Sequence, residues 1–210
     1  SEKRAEAPEN VKLYTDYKAL LADSDVEWVM ISVPNHLHHD IAIDAAKAKK
    51  NIIVEKPCAL NVQEFDEMYQ AAKDNGVLFT VDQNRRWDRD YCTVKKVLEQ
   101  NSIGKVFMVK SSHYGVFGRM HDWHEYPECG GGMLYDWGVH LIDQMLDLIP
   151  GKITQISADM KCAVNKSVDD YFRILLYFDN GLAAEIELGT FLLKKLPRWY
   201  VAGDTGTLVV

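Results

Sequence analysis

The sequence of 210 residues carries a formal net charge of −7, which argues against nucleic-acid binding because that requires a basic surface. Its richest apolar run, 26–34, is far shorter than the roughly 18 residues of a membrane span, and the opening residues lack an apolar signal core. Four cysteines without a C-x-x-C pair favour reduced thiols in a cytoplasmic protein over disulfides or a structural zinc site.

The first half of the chain alternates between helical and extended patterns. Asn61 is the expected N-cap of one helix, and Asn75-Gly76 marks its end. Strands that alternate with helices predict a parallel sheet built from βαβ units. In chain order we predict an amphipathic stretch over 16–23, helices over 37–50 and 62–74, and strands over 27–33, 51–54 and 77–81.

The pattern changes near residue 85. Turns at Asp179-Asn180-Gly181 and Asp204-Thr205-Gly206 each join two strands, and consecutive hairpins imply an antiparallel sheet. The pattern predicts an α/β domain with a parallel sheet over residues 1–85, followed over 86–210 by an α+β domain with a largely antiparallel sheet. In this second part we predict helices over 90–99 and 133–149, and strands over 105–114, 154–164, 170–178, 182–190, 198–202 and 207–210.

Polar residues follow three successive strands of the first half. Ligands of open parallel sheets bind beyond the carboxyl ends of the strands, although polar turn residues also gather there for purely structural reasons. Lys56 is the sharpest candidate, because Pro57 restricts its backbone and an ammonium there could polarise a substrate oxygen or bind a cofactor carbonyl. The alternative is a surface lysine paired with Glu55. The Lys56–Pro57 bond is a candidate for the cis form.

The helix predicted over 133–149 carries a second candidate group. Asp136 and His140 are four residues apart and share one face, opposite an apolar stripe, and such charged faces are ordinarily just solvated. The glycines at 130–132 allow backbone or a ligand to approach the helix start, and a histidine is a natural general base near neutral pH. Asp143 and Asp147 continue the same face.

Two other chemistries have little support in the sequence. No G-x-S-x-G elbow exists for a Ser-His-Asp hydrolase, and Cys58 is more typical of a small buried residue than of a nucleophile. A metal site is the other alternative, and its candidate ligands would be His121, His124, Cys129, Asp136 and His140. The spacing of these residues matches no standard zinc site, so we expect no metal.

Taken together, the motifs resemble the Gfo/Idh/MocA oxidoreductases, the family of glucose–fructose oxidoreductase and inositol dehydrogenase. Glu-Lys-Pro at 55–57, followed some eighty residues later by Asp-x-Gly-x-His at 136–140, is the specific combination, and each motif alone is weak. The other matching segments are Val33-Pro34-Asn35-His36-Leu37-His38, Asn84-Arg85-Arg86-Trp87, the run from Gly130 to Asp136, and Gly203-Asp204-Thr205-Gly206-Thr207-Leu208.

The resemblance implies an NAD- or NADP-dependent enzyme that acts on a sugar, cyclitol or related polyol hydroxyl. By carry-over, Lys56 is the catalytic lysine, Asp136 orients the substrate and His140 exchanges the hydroxyl proton. We also expect a homo-oligomer formed through the antiparallel sheet. Pro34, Asn35, His38, Glu55 and Lys56 would line the cofactor site, and Arg85 or Arg86, Tyr114 and Trp123 would contribute to the substrate pocket, where Trp87, His121, His124 and Tyr126 are further candidates.

One departure from the family is clear. The family opens with a strand, a G-x-G-x-x-G/A turn and a helix, and none of the thirteen glycines here forms that turn. The resemblance therefore implies an internal fragment of a longer enzyme, inactive alone, in which residues 1–85 form the C-terminal part of a Rossmann-type parallel sheet and residues 86–210 lack strands of the C-terminal sheet. Two alternatives stay open: a non-catalytic dinucleotide or sugar sensor, which has no use for the Lys-Asp-His set, and a relative that uses transient oxidation to drive elimination or glycoside cleavage.

Overall fold

The computed structural model describes residues 11–115 and 120–210. The chain forms two compact units. The first takes the chain up to Val33 together with Leu37–Val81, and the second takes Pro34–His36 together with Asp82–Val210. The assignment of cofactor binding to residues 1–85, and of substrate binding and oligomerisation to residues 86–210, stays a prediction.

The first unit is built around a three-stranded sheet in the order β1-β2-β3, in which β1 and β2 run parallel. Its core contains Ile31, Ile52, Val54, Ala45 and Met68. The elements are α1 (Tyr17–Leu21), β1 (Trp28–Ile31), α2 (His38–Lys47), β2 (Asn51–Glu55), α3 (Val62–Asn75) and β3 (Phe79–Asp82).

Both predicted ends of α3 are confirmed. Asn61 Oδ1 accepts a hydrogen bond from the Glu64 N–H at 2.9 Å, and Glu64 Oε2 accepts one from the Leu60 N–H at 3.0 Å. Gly76 ends the helix at φ 69°, in the left-handed region that glycine enters without a Cβ penalty.

The second unit contains a six-stranded sheet in the order β5-β6-β7-β4-β8-β9. Only the β4–β7 pair among these strands is parallel, and the other four pairs are antiparallel. The predicted fold class is therefore confirmed. The elements are α4 (Arg89–Glu99), β4 (Val106–Tyr114), α5 (Val139–Leu148), β5 (Ile153–Lys161), β6 (Tyr171–Phe178), β7 (Ala183–Gly189), β8 (Trp199–Gly203) and β9 (Thr207–Val209).

Strand β6 shows why this sheet has two different faces. Its residues alternate between buried and accessible, and Phe172, Ile174 and Leu176 enter the same core as Leu141 and Met145 of α5. Within the described residues, no helix is long and apolar enough to cross a membrane.

The helix predicted over 133–149 is not a single α-helix. Leu134–Gly138 forms a π-turn, and α5 begins only at Val139. Asp169 holds the start of this turn, because its backbone oxygen and its carboxylate accept the N–H groups of Met133 and Leu134 at 2.9 and 2.8 Å. Hydrophobic periodicity cannot distinguish this π-turn from an α-helical turn, since the apolar stripe continues through both.

Candidate functional site

In the first unit, the site residues stand at the carboxyl end of β2. Glu55 is the last residue of this strand, and its Oε2 accepts a hydrogen bond from the Lys56 N–H at 3.2 Å. Lys56 is half-buried, and its bond to Pro57 is cis, as predicted. Lys56 therefore lies at the edge of the sheet where ligands of parallel sheets bind.

His38 is a fully buried bridge within the same unit. Its Nδ1 lies 2.9 Å from the Pro57 oxygen and its Nε2 lies 3.0 Å from the Val33 oxygen. Both ring nitrogens therefore face backbone carbonyls near the ends of β1 and β2. The imidazole supports the Lys56–Pro57 segment through its backbone, and the role of His38 as a cofactor-lining residue stays a prediction.

Pro34 and Asn35 belong to the second unit. Asn35 is only 4% exposed, and its Nδ2 donates a hydrogen bond to the Gly130 oxygen at 2.8 Å. This bond ties the segment that follows β1 to the first glycine of the run at 130–132. Pro34 is half-buried.

The glycine run accommodates close approaches by the chain itself. A Cβ on Gly131 would lie 2.3 Å from the His124 oxygen, and one on Gly132 would lie 2.3 Å from Asp169 Oδ1. Gly132 also has φ +99°, which L side chains rarely adopt. Burial raises the pKa of Asp169, although its backbone hydrogen bonds lower it. These glycines place the π-turn that carries Asp136.

Trp137 is the centre of an aromatic and cationic cluster in the second unit. The Arg85 guanidinium lies 4.1 Å from its ring centroid, and the His113 ring stacks on it at 4.0 Å. His140 meets the same indole edge-on at 6.0 Å and is only 4% exposed. We call Arg85, His113, Trp137 and His140 the Trp137 cluster. His140 therefore does not lie on a solvated helix face.

The cationic surroundings of His113 affect its protonation. Burial and the nearby Arg198 and Arg85 guanidinium groups lower the pKa of His113 to about 4. The imidazole is consequently neutral at pH 7 and stacks as an uncharged ring on Trp137.

The two predicted arginines have different environments. Arg86 makes a bidentate ion pair with Asp143 of α5, with distances of 2.7 and 2.6 Å, and this carboxylate raises the pKa of Arg86. Arg85 donates to Asp88 at 3.0 Å and stacks on Trp137. Only Arg85 belongs to the Trp137 cluster.

Tyr114 and Trp123 lie elsewhere in the second unit. Along β4, Tyr114 points to the opposite face from His113, and its hydroxyl donates to the Glu187 carboxylate. Burial and that carboxylate raise the pKa of Tyr114. Trp123 stacks on His124 at 3.7 Å in a short 3-10 turn, Asp122–Glu125. Their predicted contact with substrate remains untested.

One member of the Trp137 cluster, His113, and two residues beside it, Gln144 and Arg198, were not predicted from the sequence. The spacing of His113 offered a signal, because it follows Val109 and Ser111 at every second position and so shares one face of β4 with them. Gln144 and Arg198 gave no local signal, since they meet only in the folded chain, where Arg198 Nη2 donates to Gln144 Oε1 at 2.9 Å.

The remaining candidate chemistries gain no geometric support. Across residues 11–115 and 120–210, no three His, Cys, Asp or Glu side chains form a group that could hold a metal ion. Burial raises the pKa of the Cys58 thiol to about 12, so little of it is the thiolate that acts as a nucleophile at neutral pH.

Comparisons with known proteins cover nearly the whole chain. The GFO/IDH/MocA C-terminal domain family matches residues 91–209, and the oxidoreductase family with an NAD-binding Rossmann fold matches residues 1–83. An uncharacterized oxidoreductase of Schizosaccharomyces pombe is 37% identical over 85% of the chain and 49% of its own length. The NADP-linked scyllo-inositol 2-dehydrogenase of Bacillus subtilis is 30% identical over 89% of the chain and 52% of its length.

A crystal structure shows the same architecture. The NAD-binding protein from Listeria innocua superimposes with a TM-score of 0.95 at 40% identity, covering 99% of this chain and 59% of that one. The chain thus spans about half the length of the curated relatives it matches.

Proposed function

Because the chain belongs to the Gfo/Idh/MocA family of NAD-binding oxidoreductases, we propose that the complete protein transfers a hydride between a polyol hydroxyl carbon and NAD or NADP. The polyol would be a sugar, a cyclitol or a related compound. The observation that carries the proposal is the buried His140, which follows Asp136 by four residues and packs edge-on against Trp137. Similarity to a scyllo-inositol dehydrogenase supports the substrate class.

The residues present fit the nicotinamide half of a dinucleotide. Glu55 and Lys56 end β2 with a carboxylate and an ammonium, which suit the amide and hydroxyl groups of that half. The family resemblance also assigns Pro34 and Asn35 to the cofactor, and His38 supports the Lys56–Pro57 segment through the Pro57 backbone. The sequence contains no G-x-G-x-x-G turn for the pyrophosphate. When bound, the nicotinamide supplies the acceptor for the hydride that leaves the carbinol carbon.

Residues of the chain itself would transfer the hydroxyl proton and stabilise the charge on the substrate oxygen. His140 accepts the proton of the substrate hydroxyl as general base, and in the reverse direction it returns that proton. The Lys56 ammonium stabilises the negative charge that develops on the substrate oxygen. Asp136 accepts hydrogen bonds from substrate hydroxyls and fixes which carbon reacts.

Between the two arginines, we assign substrate contact to Arg85. The fork of Arg86 is occupied by both carboxylate oxygens of Asp143, whereas the Arg85 guanidinium donates to Asp88 through Nη1 and is held over Trp137, which His140 also contacts.

We also propose that copies of the chain associate through the face of the six-stranded sheet that carries Lys110, Arg173, Tyr177, Glu185 and Tyr200. Tyr177 and Tyr200 are each 39% exposed there, and aromatic side chains of this kind are enriched in interfaces.

The test uses turnover of the complete protein with NAD and NADP against a panel of cyclitols and sugars. Lys56→Met and His140→Ala should each lower kcat by orders of magnitude, on the scale of 10²–10⁴-fold for a lost acid–base group, while thermal unfolding stays cooperative. Lys47→Met and His39→Ala are matched controls outside the site and should retain turnover.

Near-normal kcat in both site variants would overturn the assignment. Binding of the dinucleotide without turnover of any compound would favour a sensor. Mass spectra that show cleaved or dehydrated products without net cofactor reduction would favour redox-assisted elimination.

A further inference from the structure

Gln144 lies one helical turn after His140 on α5 and is 1% exposed. Both ends of its amide are used. Nε2 donates to the backbone oxygen of Arg85 at 2.7 Å, and Oε1 accepts from Arg198 Nη2 at 2.9 Å. A glutamine whose amide nitrogen and amide oxygen bond to different segments holds those segments together.

Arg198 determines which way this amide points. A flipped amide would set its NH₂ group against the guanidinium and its oxygen against the Arg85 oxygen, so only one orientation satisfies both neighbours. Arg198 is itself held, because it also donates to Ser111 Oγ and its Nε lies 3.8 Å from Asp90 Oδ2.

The environment of Arg198 supports this structural role. Burial lowers the pKa of Arg198 to about 10, while the Asp90 carboxylate raises it. The group therefore remains a cation at neutral pH and keeps its N–H donors toward Gln144.

The carbonyl that Gln144 holds belongs to the 3-10 turn Asn84–Trp87. This turn carries the guanidinium that stacks on Trp137, and Trp137 contacts His140. Helix α5 thus carries His140, the proposed general base, and also supports Arg85, the proposed substrate contact, through Gln144.

We propose that Gln144 is a positioning residue: it fixes the Arg85 turn against the helix that carries His140, and Arg198 fixes its orientation. This inference rests on the proposed function. Loss of the bond to the Arg85 carbonyl would let the guanidinium shift, and since a displacement of about 1 Å can cost on the order of 10²-fold in rate, we expect a fall in kcat of about tenfold or more.

The test compares Gln144→Glu with Gln144→Met in the complete protein. The carboxylate of Gln144→Glu keeps the shape and the acceptor for Arg198 but has no N–H for the Arg85 carbonyl, whereas Gln144→Met loses both bonds. Both should lose kcat to a similar extent. Met145→Leu, a volume-conserving change in the core of the same helix, should retain the wild-type kcat.

An Arg85→Met background separates positioning from stability. If Gln144 acts through Arg85, its substitution should cost less than about twofold in kcat once Arg85 is absent. The same fold loss in both backgrounds, or a wild-type kcat for Gln144→Glu, would overturn the inference. Should Gln144→Met fail to fold, Gln144→Glu carries the comparison alone. A wild-type protein without any turnover would overturn the proposed function and this inference together.

Discussion

His113 and His140 contact the same indole, yet they are suited to different tasks. His113 stacks on Trp137 and is held neutral by burial and by two guanidinium groups. His140 meets the ring edge-on and follows the π-turn that carries Asp136. We therefore assign proton exchange to His140 and treat His113 as part of the wall that supports Trp137.

The neutral state of His113 predicts an acid-sensitive fold. Its pKa is about 4 in the folded chain and roughly 6.5 when unfolded, so between these values the unfolded chain binds more protons. Stability is therefore lost as pH falls from about 6.5 to about 4. The loss of unfolding free energy between pH 7 and pH 5, measured with urea, should be smaller in His113→Phe.

His121→Phe is the matched control, because the His121 side chain is 82% exposed. It should show the same pH-dependent loss as the wild type. An unchanged loss in His113→Phe would mean that His113 does not titrate in this window.

At the scale of elements, the turn before α5 depends on a glycine that a side chain would disrupt. In Gly132→Ala the new methyl would collide with Asp169 Oδ1. The other oxygen of this carboxylate, Oδ2, accepts a hydrogen bond from the Leu134 N–H at 2.8 Å. Gly181→Ala is a control at φ +83° with nothing within 4 Å, so it carries only the left-handed backbone penalty of about 1–2 kcal/mol.

Gly132→Ala should therefore lower the urea unfolding free energy by more than Gly181→Ala. It should also lower turnover per folded molecule, because the π-turn carries Asp136. Equal effects of the two substitutions on stability would show that the Asp169 contact does not constrain this turn.

Local patterns predicted most elements, and long-range contacts explain the rest. Asn61, Gly76 and the Asn180-Gly181 turn determine their structures within a few residues, so both ends of α3 and the β6–β7 hairpin were predictable. The parallel β4–β7 pair and the π-turn depend on partners far away in the chain, such as Asp169.

The candidate site divides in the same way. Lys56, Asp136 and His140 stood out because strand ends and helix spacing, together with the family motifs, are visible in a sequence. The Arg85–Gln144–Arg198 connection joins residues 54 to 59 positions apart and has no sequence signature. From the sequence, Arg85 could not be distinguished from Arg86 as the substrate contact, and Gln144 and Arg198 were not predicted.

For the whole molecule, the polar sheet face predicts self-association. Lys110 bonds Glu185 at 3.0 Å and Glu187 at 3.5 Å, and Arg173 bonds Glu185 at 2.9 Å, so two cations are paired with two carboxylates beside the exposed tyrosines. Such a surface suits a second copy, since its charges are already paired.

Tyr177→Glu introduces an unpaired charge into this face and should shift sedimentation of the protein toward a smaller species. Val62→Glu, at a position 75% exposed on α3, is the control and should sediment as the wild type does. A wild-type protein that sediments as a monomer, or a Tyr177 variant that keeps its size, would contradict association through this sheet.

An isotope label tests direct hydride transfer from the carbinol carbon to the nicotinamide. The complete protein is incubated with NAD or NADP and with cyclitols or sugars that are deuterated at every carbinol carbon. The mass of the reduced cofactor is then measured by mass spectrometry. We expect a reduced cofactor that carries one deuterium at the nicotinamide ring. A reduced cofactor without deuterium, or no reduction with any of these compounds, would contradict it.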